Sequence, residues 1–196
     1  MKSFQTLPEG YAQIFRVDLQ KNKKQAYLVN GAAVGITLLM FLIGRALVPF
    51  AVFFDISGGM KPFFIRELAL VAGTVGYVLL HELIHAIVMK LCGTEKVKLG
   101  FSGGYFYAGS RDYYPKAPYF CIALAPVVIL GVILLAACFA VSAQWFWVLY
   151  FIQISNISGA AGDIYVVLRF APMPADILIR DHGTSMRVYS KEELPQ

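Results

Sequence analysis

The sequence predicts an all-α membrane protein, a bundle of about four transmembrane helices with a small β-hairpin in the central cytoplasmic loop and in the C-terminal tail. Three observations carry that expectation. The 196 residues are 58% hydrophobic and only 15% charged, with a mean hydropathy of +0.64. That balance lies well outside an ordinary soluble domain. The apolar residues gather into four stretches of spanning length, Ala26–Leu47, Leu68–Leu91, Ala117–Val141 and Trp145–Leu168.

The third observation is where the basic residues fall. Lys2, Arg16, Lys21, Lys23 and Lys24 precede the first stretch, and Lys90, Lys96, Lys98, Arg111 and Lys116 edge the loop between the second and third. Arg169, Arg180, Arg187 and Lys191 follow the fourth, leaving only Arg45, Lys61 and Arg66 on the opposite side. The positive-inside rule then puts both termini and the central loop in the cytoplasm. The net charge of +5 flanks spans and forms no single patch, which argues against a nucleic-acid partner. The lipid bilayer is the partner this composition implies.

Taken in order, residues 1–25 form a polar, basic cytoplasmic lead-in with no apolar core of a cleavable signal peptide. Within it, Leu7, Tyr11, Ile14 and Phe15 are placed to lie on a membrane surface. Residues 26–170 form the transmembrane domain. Gly58-Gly59 and Pro62 mark a short external loop between its first two spans. In the central cytoplasmic loop, residues 93–116, Val97, Leu99 and Phe101 alternate with Lys96, Lys98 and Gly100 as a half-buried strand does. Gly103-Gly104 then turns the chain back into Tyr105-Phe106-Tyr107. Trp145 and Trp147 anchor the turn between spans three and four at the interface. Pro172 and Pro174 end the fourth span, and the tail, residues 171–196, carries a hairpin of Ile177–Ile179 with Met186–Tyr189. The cysteines, at 92, 121 and 138, have no paired spacing and read as small apolar fillers.

The chemistry-bearing motif is His81-Glu82-Leu83-Ile84-His85, inside the second span. On a helix His81 and His85 are i and i+4, so both imidazoles leave one face and grip one metal ion. Glu82 is placed beside them to handle the proton of a water molecule. Ionisable groups are costly in hydrocarbon, and there they mark function. One zinc ion per chain is therefore expected.

A catalytic zinc needs three protein ligands and an open position. Glu67 lies 14 residues before His81, about 20 Å along the same helix, and is excluded. His182 falls in the tail and Asp112 in the loop, whereas Asp163 is the acid within the fourth span. His85 stands five residues before Lys90 and Asp163 six before Arg169. Both therefore sit roughly 8–9 Å from the inner boundary, at matching depth. Gly159 and Gly162 flank Asp163 and permit close helix approach, while Gln153, Asn156 and Asp163 fall near one face.

HELIH on one span, followed on another by Gly162-Asp163 with Asn156 upstream, resembles the site-2 protease group of intramembrane zinc metalloproteases. It is closer still to the bacterial membrane proteins named the putative zincin peptidase family, a likeness covering most of the chain. The resemblance implies zinc ligation by His81, His85 and Asp163, with Glu82 as catalytic base. Asn156 matches the polar residue that contacts the substrate or its oxyanion. The substrate class implied is a membrane protein or peptide. One departure is local: Gly precedes Asp here, where the site-2 pattern has Asp followed by Gly. The competing reading is a non-proteolytic zinc-binding scaffold, or a transport or assembly factor, and no oligomeric state is specified.

Overall fold

The computed structural model describes residues 2–102, 104–183 and 185–191. In chain order these form β1 (Ala12–Asp18), α1 (Lys23–Leu47), a 3₁₀ turn (Phe50–Phe54), α2 (Met60–Leu91), β2 (Val97–Ser102), β3 (Tyr105–Ser110) and β4 (Tyr113–Pro115). Then follow α3 (Lys116–Ala140), α4 (Ala143–Gly159), α5 (Ala161–Phe170), β5 (Leu178–Asp181) and β6 (Ser185–Ser190). The chain is mostly helical, yet two small sheets replace the all-α expectation. Four helical segments are long and apolar enough to cross a membrane, the fourth being Ala143–Phe170 counted through a break at Ala160.

Local chemistry sets the helix ends. The Asn22 side chain accepts from the amides of Lys24 and Gln25, capping α1. Pro62 falls in the first turn of α2, where a missing amide proton costs nothing, so this helix begins at Met60 rather than Leu68. It stops at Gly93 (φ +93°), whose conformation lets the Gly93 amide reach Lys90 and the Thr94 amide reach Met89.

Two compact units divide the chain. Unit one holds residues 1–29, 82–126 and 162–196. Its sheet runs β1-β6-β5-β4, all antiparallel, beside the separate hairpin β2-β3. The tail hairpin forms as the sequence predicts, but joins a larger sheet: the lead-in supplies β1 and the central loop supplies β4. Val17, Met89, Tyr114, Tyr119, Ile122 and Val166 contribute to the core, with Ile14 and Phe15 packed against it. Leu7 and Tyr11 pack on Tyr113, Leu178 and Tyr189. These four side chains are partly buried against the protein core. At the β5–β6 turn Gly183 adopts φ +89°, and a Cβ there would collide with the Tyr107 ring. No other residue fits both constraints.

Unit two holds residues 30–81 and 127–161, parts of α1, α2, α3 and all of α4. Its core is aromatic, with Phe53, Phe146, Trp147 and Tyr150 buried. Gly44 on α1 lies against the rings of Tyr150 and Trp147, and Gly73 on α2 against Ile152. Much of α1 stays exposed, including Leu38, Leu39 and Leu42.

Candidate metal centre

Helix α2 is unbroken from Met60 to Leu91, so His81 and His85 stand one turn apart on one face. Both are buried, at 6% and 8% exposure. Asp163 comes from the first turn of α5, just after the α4 helix stops. The fourth apolar stretch is thus two helices rather than one. Gly159 and Gly162 border the break, and glycine weakens helix propagation there. The break gives Asp163 a helix N-terminus, whose free amides and dipole favour a carboxylate. Gly159 is a true close approach, with the Tyr77 hydroxyl 3.0 Å from where its Cβ would stand. Gly162 meets only an ordinary contact with Leu19 at 3.7 Å.

The ligand atoms of His81, His85 and Asp163 lie within 4.8 Å of one another, joining all three sequence-predicted ligands. His85 Nδ1 lies 2.8 Å from the Ile122 carbonyl oxygen, which only accepts, so Nδ1 carries the proton. The other ring nitrogen, Nε2, then faces Asp163 Oδ1 at 3.6 Å. Tyr77 donates its hydroxyl proton to the Ser155 carbonyl at 3.1 Å, leaving its oxygen to accept from His81 Nδ1 at 3.5 Å. That contact orients His81 in the same sense.

The donor set fits zinc. An imidazole nitrogen and a carboxylate oxygen turned toward each other, with a second imidazole close by, are the ligand types zinc takes. Tetrahedral zinc with nitrogen and oxygen ligands sets such atoms about 3.4 Å apart, close to the His85–Asp163 separation. Glu82, next to His81 on α2, is half-buried. As the next residue along the helix, it stands about 100° around the axis from His81.

Asn156 is placed differently from the ligands. It is fully buried, its Nδ2 donates to the Val127 carbonyl at 3.2 Å, and Gly131 makes room for it. Gln153 Nε2 donates likewise to the Gly131 carbonyl at 3.2 Å. These two amides clip α4 to α3.

Sequence reasoning missed three contributors. Tyr77, one turn before His81, carried a usable signal in its i−4 spacing. The Ile122 carbonyl carried one in Pro126, four residues on in α3. The third is a buried pair: the Tyr119 hydroxyl donates to Asp181 at 2.9 Å, and the Gly183 amide donates to the same carboxylate at 2.6 Å. Burial nevertheless pushes the Asp181 carboxyl up to about 7. Nothing in the local sequence around Asp181 announces this.

Comparison with known proteins follows the same residues. A family model described as "Putative zincin peptidase" matches residues 74–178, more than half of the chain. That window contains Tyr77, His81, Glu82, His85, Tyr119, Ile122 and Asp163. A protein of Pyrococcus woesei, "Uncharacterized 24.7 kDa protein in gap 5'region", is 34% identical over 125 residues, covering 61% of this chain and 53% of the relative. The chain therefore spans about half the length of that curated relative. No solved structure matches. With its metal-ligand cluster inside the matched window, the chain belongs to the family described as "Putative zincin peptidase".

Proposed function

We propose that this chain is an intramembrane zinc metalloprotease of the site-2 protease type, cutting a peptide bond of a membrane-associated substrate near the cytoplasmic face. The observation that carries the reading is the meeting of His81, His85 and Asp163 in a chain with four membrane-length apolar segments. When held there, zinc supplies a Lewis acid that polarises a carbonyl and brings the pKa of water toward neutrality.

The chain's own groups do the rest. Glu82 accepts a proton from the attacking water and returns it to the leaving amine. His85, steadied by Ile122, and His81, steadied by Tyr77, keep their Nε2 atoms directed at the centre. Strand β2 pairs only with β3 among the described residues, so its other edge is open to an extended substrate strand. Leu99 and Phe101 on β2 are exposed beside Lys98, suiting a segment drawn from the lipid surface. Asn156 acts from within the α3–α4 contact, supporting the substrate side of the site. Both termini lie in the cytoplasm in this reading, following the basic flanks.

Glu82→Gln in the full chain, reconstituted in vesicles, tests the proposal. Zinc stoichiometry is expected to match the wild type while cleavage of membrane-protein substrates stops. Substrates are identified as peptides that disappear from the membrane proteome of cells carrying the variant. Unimpaired cellular function of that variant would overturn the protease reading in favour of a zinc-binding scaffold.

A further inference from the structure

Helix α3 carries a proline within it, Pro126. A proline has no amide proton, so the carbonyl four residues earlier loses its helical partner, and the ring pushes that carbonyl aside. Here the carbonyl is that of Ile122, and it accepts the Nδ1 proton of His85 at 2.8 Å. Ile122 is 1% exposed and His85 8%. In a buried, apolar setting an unmet carbonyl is costly, and a neighbouring helix commonly satisfies it. The two halves of the observation fit each other: one residue type creates a spare acceptor at the place where a metal ligand needs one.

We infer that Pro126 is a positioning residue for the metal centre. By deleting one helical hydrogen bond it reserves the Ile122 carbonyl for His85, and so fixes the tautomer whose Nε2 faces Asp163. The inference rests on the zinc reading above. It differs from a kink-only role for the proline in a testable respect. A kink acts through the ring, whereas reservation of the carbonyl acts through the missing N–H.

Two variants of the full chain in detergent separate these. Pro126→Ala restores an N–H that competes for Ile122. Placing lactic acid at position 126, an ester link made by nonsense suppression, removes the ring but supplies no N–H. Zinc affinity is read by chelator competition, and the protonated ring nitrogen of His85 by ¹⁵N shifts of labelled histidine in the zinc-loaded protein. Pro126→Ala is expected to bind zinc about 10–100-fold more weakly, the range for losing an outer-shell partner. Its His85 should no longer hold the proton on Nδ1 alone. The ester variant should match the wild type in both readouts. Equal losses in the two variants, or wild-type behaviour of Pro126→Ala, would overturn the inference. Should Pro126→Ala fail to fold, the zinc-loaded wild type decides: a proton on Nε2 of His85 sinks the idea, and one on Nδ1 with an intact ester variant upholds it. Unchanged zinc affinity in His85→Ala would instead remove the zinc reading itself.

Discussion

The Tyr119 hydroxyl and the Asp181 carboxylate meet at 2.9 Å inside unit one, both nearly inaccessible to solvent. Burial raises the Asp181 pKa to about 7, against the pull of hydrogen bonds from Gly183 and Tyr119. The folded chain therefore keeps a proton there that the unfolded chain releases near pH 4, its ordinary range. Stability from this group is complete below about pH 4, and it falls by up to about 1.4 kcal/mol per pH unit as pH rises toward 7. Above that the loss is complete. Asp181→Asn keeps the shape and removes the titration, so its unfolding midpoint should vary less across this window. A slope identical to the wild type in denaturant titrations would contradict the assignment.

Asp163→Ala removes the ligand contributed by α5. Zinc affinity should drop by more than about 100-fold, beyond what loss of an outer-shell partner causes. Circular dichroism should show the helices intact. Full metal stoichiometry at limiting zinc would exclude Asp163 from the ligand set.

Asn156→Ala breaks a buried clip between α3 and α4. The expected loss is about 1–3 kcal/mol of stability, because the Val127 carbonyl loses its extra donor and a cavity opens beside Gly131. Thermal unfolding in detergent measures it. Unaltered stability with collapsed turnover would identify Asn156 as a substrate contact and not a clip.

Gly183→Ala asks for a left-handed backbone and drives a methyl into Tyr107. Destabilisation of about 1–3 kcal/mol is expected from the backbone alone. Pairing it with Tyr107→Ala should recover part of the loss by clearing the ring. Absence of any recovery would mean the ring is not the obstacle.

The sequence made the helices and the candidate metal ligands legible for one physical reason: long apolar runs leave few places for ionisable groups. His81, His85 and Asp163 stood out because everything around them is apolar. The break before Asp163 was harder to see, since an apolar run reads the same whether one helix or two fill it. The sheet was harder still. Strand β1 gains its meaning from partners more than 160 residues away, and Gln13 through Asp18 give only a weak alternation by themselves. Asp181 is buried by that same sheet, so no local pattern reveals it.

Pairing of β1 with β6 joins segments more than 160 residues apart in the chain. A nascent chain halted after α5 already contains His81, His85 and Asp163 but lacks β5 and β6, and so cannot close the sheet or form the Tyr119–Asp181 pair. Unit one is therefore completed only once translation has passed residue 190, and its maturation is timed by the ribosome.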